Sequence, residues 1–306
     1  MMKSFFIIVV LCTVSYSQLL DYTLHKNMAS LKNLKNIKIL DTKELKFPKK
    51  NGIEFSELSG LAYKTNKLFA VSDRGYLYTF SLKIKEQKID SLVMLEATKL
   101  KTKTGKNLKK KKRDAEGLAF LNDMLLISFE RKQKVNLYDL NGVKIKKIKL
   151  NVALRNRNNY IDPNKGLESV TYNEKYGVIS TPEEPLKHKI ENLHSLYTQN
   201  ESYSFKYKGS ITGLEFIDED RVLVLLREFH PFSQQKITTL LSVNLSQCRN
   251  TLCDVKTLAI LDSLQGWEID NFEGLTKVSK NKFLMVSDDN GSFFQKTLLV
   301  LFEIID

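Results

Sequence analysis

Ser59-Gly60-Leu61-Ala62-Tyr63 and Glu116-Gly117-Leu118-Ala119-Phe120 are two copies of one phrase. It returns as Glu168-Ser169-Val170-Thr171-Tyr172, as Thr212-Gly213-Leu214-Glu215-Phe216 and as Glu273-Gly274-Leu275-Thr276. The equivalent positions Gly60, Gly117, Ser169, Gly213 and Gly274 are 57, 52, 44 and 61 residues apart. A loose period of this size is the signature of a radial array of small sheets, a β-propeller.

Each copy is followed by the same events. A turn such as Lys64-Thr65-Asn66-Lys67 or Ser279-Lys280-Asn281-Lys282 leads into a short apolar run. The runs are 68–72, 124–128, 176–180, 222–226 and 283–287, and four of the five end in Ser. Short β-branched-rich runs between polar turns read as buried strands. Third strands fit at 77–82, 134–140, 194–199, 238–245 and 298–304. Fourth strands fit at 91–96, 143–150, 203–207 and 254–261. The last repeat lacks a fourth strand, while residues 37–45 form an unused strand ahead of the first repeat. The expectation is therefore an all-β propeller of five four-stranded blades, closed by that N-terminal strand, which hides the edges of the array. Six blades is the alternative, if a long repeat conceals a degenerate one. The domain spans 36–306, and the lead segment 18–35 contains a possible short amphipathic helix over 20–34.

The N-terminus reads as a signal peptide over 1–17. Lys3 supplies the charge, Phe5 to Val14 the apolar run, and Ser15-Tyr16-Ser17 the small residues before a cut after Ser17. The run is too short to span a bilayer, and a buried terminal strand is the other reading. Cys12 lies within it, but Leu11 is too large for a lipoprotein cleavage site. A periplasmic or secreted protein with no membrane span after cleavage is expected. Of the remaining cysteines, Cys248 and Cys253 flank a short turn, which in an oxidising compartment reads as a disulfide. A metal or redox pair is the weaker alternative, with no second pair or histidine nearby.

The net charge is +13, and nine of the fifteen residues from Lys99 to Arg113 are basic. That run is either a solvated loop or a contact for an anionic partner. Export and the lack of interleaved aromatics argue against nucleic acid.

The carboxylates concentrate at repeated places. Strand one opens with Ser59, Glu116, Glu168, Thr212 or Glu273, with Glu57 and Asp114 just before two of them. Strand two closes with Asp73-Arg74, Glu130-Arg131, Glu183-Glu184, Arg227-Glu228 or Asp288-Asp289-Asn290. In an up-and-down blade these two sets share one face, so they should meet at one mouth of the channel. Such carboxylates have three uses: a site for a hard cation such as Ca²⁺, a general acid–base pair, or polar ties between blades. His230 lies close to the same mouth. No nucleophile elbow and no Walker-type phosphate loop is present.

Several phrases, taken in order, resemble one bacterial exported family. They are Glu57-Leu-Ser-Gly-Leu-Ala-Tyr63, Ala70-Val-Ser-Asp-Arg-Gly75, Asp114-Ala-Glu-Gly-Leu-Ala-Phe120, Gly166-Leu-Glu-Ser-Val170 and Leu225-Leu-Arg-Glu-Phe229. Asp270-Asn-Phe-Glu-Gly-Leu275, Val286-Ser-Asp-Asp-Asn290 and Gln295-Lys-Thr297 complete the set. The family is called phytase-like, or esterase-like activity of phytase, and the resemblance covers roughly residues 50–306.

The resemblance implies a propeller, export, and hydrolysis of phosphate or carboxylate esters, with calcium as cofactor by analogy with calcium-dependent propeller phytases. By that analogy Asp73, Glu116, Glu168, Glu273, Asp288 and Asp289 would hold the metal. Glu116, Glu273, Asp73 and Asp288 would carry the chemistry, and Arg74, Arg131, Arg227, Glu228 and Asn290 would meet an anionic or phosphorylated small molecule. Two departures weaken the ring: Ser169 replaces Gly, and Thr212 stands where an acid is expected, with Glu215 as a substitute in a shifted register. A non-catalytic, ligand-binding propeller is the competing reading, and a monomer is expected in either case.

Overall fold

The computed structural model describes residues 18–27, 34, 36–162 and 164–305. The signal-peptide reading of residues 1–17, Cys12 included, lies outside these.

The described chain opens with β1 (Gln18–Asp21) and β2 (Ile37–Lys46). The first blade is β3 (Leu58–Lys64), β4 (Lys67–Ser72), β5 (Tyr76–Lys85) and β6 (Lys88–Lys99). The second is β7 (Ala115–Leu121), β8 (Met124–Phe129), β9 (Lys134–Tyr138) and β10 (Lys144–Ile148). The third is β11 (Leu167–Asn173), β12 (Gly177–Pro182), β13 (Leu193–Tyr197) and β14 (Ser202–Lys206). The fourth is β15 (Ser210–Phe216), β16 (Arg221–His230), β17 (Gln235–Asn244) and β18 (Val255–Asp262). The fifth is β19 (Asn271–Lys277), β20 (Lys282–Asp288) and β21 (Leu298–Ile304), completed by β2, which runs antiparallel to β21 from Ile37–Ile304 to Glu44–Leu298.

The five-bladed ring and its closure by an N-terminal strand match the sequence reading, and six blades are excluded. One expectation fails. The lead segment is not a helix where it is described: β1 pairs with β2 from Gln18–Lys46 to Asp21–Lys43, as a fifth strand on the last blade. Leu20 and Leu24 are spaced like a helical stripe, but the free edge of β2 offers backbone partners to residues 18–21. Leu24 then buries completely in the cluster that contains Trp267. Most of residues 28–35 lie outside the described set.

The apolar runs are explained by the packing. Both faces of each blade are covered by neighbouring blades, so inner strands lose the alternation of a half-exposed sheet. Buried apolar residues fall into five clusters, one per interface between adjacent blades. Phe283 and Phe302 pack between blades four and five, and Phe129 and Tyr138 between one and two. Each such side chain fully removed from water contributes about 1.5–3 kcal/mol before entropy is charged against it.

The first strands β3, β7, β11, β15 and β19 form the innermost ring. Each shows a register shift against its second strand at the repeated phrase: Leu58/Gly60, Ala115/Leu118, Leu167/Ser169, Ile211/Gly213 and Phe272/Gly274. The phrase is thus a β-bulge repeated five times. Its glycine serves close packing. A Cβ on Gly117 would stand 2.6 Å from Val170 N and 2.8 Å from Ser128 Oγ. The serine that ends the second strands has a matching job at Ser128. Its Oγ accepts from Gly117 N at 2.7 Å and donates to Glu168 O at 3.0 Å, tying blade two to blade three. The innermost strands approach so closely that only about 10 Å³ remains along the axis between them, room for about one water. The propeller is therefore a bowl with a closed floor.

Cys248 and Cys253 form a disulfide in the connection from β17 to β18, as the spacing predicts. Among the described residues no helix is long and apolar enough to cross a membrane.

Candidate functional site

The bulge places residues 116, 168 and 273 where three inner strands open toward the mouth. Antiparallel pairing brings the ends of the second strands beside them, as in Asn271 opposite Asp288 and Ser210 opposite Arg227. The two sets of corners do share one face. Glu116, Glu168 and Glu273 are 7 %, 6 % and 7 % exposed, and each contributes one carboxylate oxygen to a group within 4.8 Å of one another. Two further groups extend this cluster: Asp114 with Glu116 and Glu130, and Glu130 with Glu168 and Glu183.

The members are not equally satisfied. Arg227 is the central cation. Its Nη1 lies 2.9 Å from Glu273 Oε1 and its Nη2 3.1 Å from Glu183 Oε1, and it also donates to Asn271. Asn271 Nδ2 donates to Glu273 Oε1 at 2.6 Å, and Lys165 Nζ to Glu183 Oε1 at 2.6 Å. No described residue gives a hydrogen bond or ion pair to the carboxylate of Glu116 or Glu168. Burial first, and neighbouring carboxylates second, push both well above the usual glutamate range. For Glu116 the neighbours are Glu168, Glu273, Glu130 and Asp114, and for Glu168 chiefly Glu183 and Glu273, with Arg227 pulling the other way.

The same causes act around them. Burial and Asp114 push Glu130 up to about 8, and burial and Glu273 push Asp288 to about 8. Glu273 is raised to about 7 by burial against the pull of Arg227, and Asp73 to about 6 by burial and Asp114. Asp73 Oδ1 is buried without a hydrogen-bond partner.

Other sequence-derived candidates lie further out. Arg74 pairs with Glu57, and Arg131 Nε lies 2.9 Å from Asp114 Oδ2, so both tie strand-two corners to strand-one entries on the rim. Asp289 accepts from Glu57 N at 2.9 Å and from Thr297 Oγ1 at 3.0 Å, closing blade five onto blade one. Glu215 does not replace the missing acid at Thr212. Three residues further along β15, it accepts from Thr171 Oγ1 at 3.3 Å, Thr276 Oγ1 at 3.4 Å and Lys277 N at 3.1 Å. Thr212 itself donates to Phe272 O at 2.9 Å, a tie between blades four and five.

The mouth opens off-axis into a cleft of about 660 Å³ between blades three, four and five. Arg227, Lys165, Lys208 and Lys236 bring positive charge to its wall, with Glu183, Glu228, His230 and Asn290 among the other lining groups. Glu228 is held by Lys208 at 2.7 Å, and Asn290 Nδ2 donates to Gln295 Oε1 at 2.8 Å. Lys236 Nζ lies 2.6 Å from Asp270 Oδ1. Glu130, Glu183 and Asn271 join the cluster without being chosen from sequence, although the corner pattern contains the first two. Lys165, in the loop before β11, and Lys236, at the start of β17, are marked by no repeat, so their proximity emerges only from the ring.

An all-oxygen donor set of this kind suits a hard divalent cation, which takes six to eight oxygen ligands when it is calcium. The fit rests on Glu116 and Glu168, buried acids to which no described residue gives a direct hydrogen bond or ion pair.

No curated protein matches the chain. Solved structures with a similar course include the PQQ-bound aldose sugar dehydrogenase of Streptomyces coelicolor, at 10% identity and TM-score 0.48, covering 88% of this chain and 98% of that one. A mitotic checkpoint complex chain aligns at 8% identity and TM-score 0.39 over 81% of this chain and 62% of its own. The computationally designed Ika4 protein aligns at 11% identity and TM-score 0.30 over 56% and 87%. The family model described as "Phytase-like: Esterase-like activity of phytase" matches residues 53–291. That span covers most of the chain and nearly all of the mouth, and the chain belongs to the phytase-like family.

Proposed function

We propose that this phytase-like propeller is an exported, divalent-cation-assisted hydrolase of phosphate esters acting at the mouth. The carrying observation is the cluster of Glu116, Glu168 and Glu273, nine-tenths buried with their oxygens converging, for which Arg227, already bound to Glu183 and Glu273, is the shared cation. Gathering that many buried carboxylates around one arginine costs stability, and a hard cation is the partner their oxygens suit. Glu116, Glu168 and Glu273 would hold it, with Glu130 and Asp114 at a neighbouring position. A bound cation supplies charge for the phosphate oxygens and eases deprotonation of an attacking water.

The chain's own groups do the rest. Arg227, Lys165 and Lys236 orient the phosphate in the cleft, and the closed floor keeps water from entering along the axis. In hydrolysis the water oxygen joins phosphorus, the ester P–O bond breaks, one proton passes from water to a mouth carboxylate, and the alcohol leaves with another. Asp288, whose carboxyl is raised to about 8 by burial and Glu273, would give the proton to the leaving oxygen.

The test is hydrolysis of p-nitrophenyl phosphate by wild type and by Glu116→Gln/Glu168→Gln, with EDTA or with millimolar Ca²⁺. Calcium-dependent turnover that falls at least about a hundredfold in the variant, with the fold intact, is expected. Calcium binding without turnover would assign the mouth to ligand capture alone.

A further inference from the structure

A second recess lies on the outer part of blade two and reaches the rim of the mouth at Arg131. It is a groove of about 870 Å³ between β9, β10 and the loop after β6. Nine of its fifteen lining residues are Lys or Arg, and none is acidic. The basic run from sequence forms part of it as a folded loop. Lys101 N donates to Gly142 O at 2.8 Å, Lys144 N donates to Lys101 O at 3.2 Å, and Leu108 N donates to Leu100 O at 3.0 Å.

The groove has a built floor. Lys134, Asn136 and Tyr138 alternate along β9 and so share one face of the sheet. Cross-strand pairing sets Lys147 beside Asn136 and Lys144 beside Tyr138. Asn136 and Tyr138 are fully buried, and each is the other's polar neighbour, while the nearby Gln133 Nε2 has no hydrogen-bond partner. Lys134 Nζ is held 3.0 Å from Lys112 O and 4.2 Å above the Phe129 ring. Burial, then the charges of Lys144 and Lys112, push it down to about 8. Here several lysines are gathered over a recessed polar floor, and no acidic residue is among the described groups that line it.

We infer that this groove binds a small molecule carrying several phosphate groups, beside the acidic mouth rather than within it. A compact polyanion neutralises clustered cations and brings acceptors for the lysines at the floor. A flat bilayer surface meets only the rim, and the groove lacks the exposed aromatics on which single-stranded bases stack.

Calorimetric titration of inorganic tripolyphosphate into the full chain, in EDTA at low salt, tests this. EDTA leaves the mouth without cations and therefore repulsive to the probe. One saturable site is expected, weakening as salt rises. Lys144→Ala/Lys147→Ala should lower the affinity at least about tenfold while leaving the melting temperature of the free protein unchanged or raised. Glu116→Gln/Glu168→Gln should leave the affinity within about twofold. The inference fails if no saturable binding occurs, if the lysine pair has no effect, if the glutamate variant abolishes binding, or if anionic vesicles or DNA bind more tightly than tripolyphosphate.

Discussion

Glu130 and Asp288, with carboxyl groups raised to about 8, and Glu273 and Asp73, raised to about 7 and 6, set how stability depends on pH. Their folded values lie above the unfolded ones, so the stability they contribute is complete at low pH. It is lost progressively as pH rises from the unfolded carboxyl values, about 4, through the folded ones of about 6 to 8. In EDTA the melting temperature should therefore fall between pH 5 and 9, and millimolar Ca²⁺ should remove most of that fall. His194 acts in the opposite direction. It is buried on β13 against Phe205, with Nε2 lacking a partner, and burial lowers its value to about 4. A histidine held neutral in the fold stabilises it fully above the unfolded value, and the contribution disappears as pH drops from about 6.5 to 4, roughly 3 kcal/mol in all. Urea denaturation of His194→Phe across that window should show a flatter acid limb than wild type. Ser169 gives a third prediction. Its buried hydroxyl has no partner, so Ser169→Ala should change stability by less than about 1 kcal/mol in either direction.

The bulge at the head of each inner strand is the element on which fold and site both depend. It turns a glutamate toward the mouth in three blades and lets neighbouring backbones meet at the glycine. Gly117→Ala should destabilise by about 1–3 kcal/mol in chemical denaturation, because Val170 N and Ser128 Oγ leave no space for the methyl group. This element was legible in sequence because its small residue recurs five times and apolar runs follow it. The blades were legible for the same reason, since strands buried on both faces carry apolar runs between polar turns. The lead segment was not. Only four residues pair in β1, mostly exposed, and what fixes them is the distant edge of β2. At the site, the repeat located the corners but not their pairing. That Arg227 would serve Glu183 and Glu273 while Arg74 and Arg131 stay with their own blades depends on side-chain reach across the ring, which one sequence does not encode locally.

As a whole the molecule separates its charges, with an acidic bowl at the axis and a basic groove on blade two, within a chain of net charge +13. The ring closes only through β2, so a chain beginning at residue 50 should lose its cooperative melt by circular dichroism. One beginning at residue 36 should keep the melt at a lower temperature, lacking β1 and Leu24. The acidic bowl is the central claim, and equilibrium titration of Ca²⁺ near pH 7.5 in two buffers of different ionisation enthalpy tests it most directly. Binding in the range of about 0.1–1 mM or tighter, with net proton release, is predicted, because raised carboxyls must ionise to ligate. Glu116→Gln/Glu168→Gln should abolish it. Absence of binding up to about 10 mM, or binding that survives that double substitution, would contradict the account.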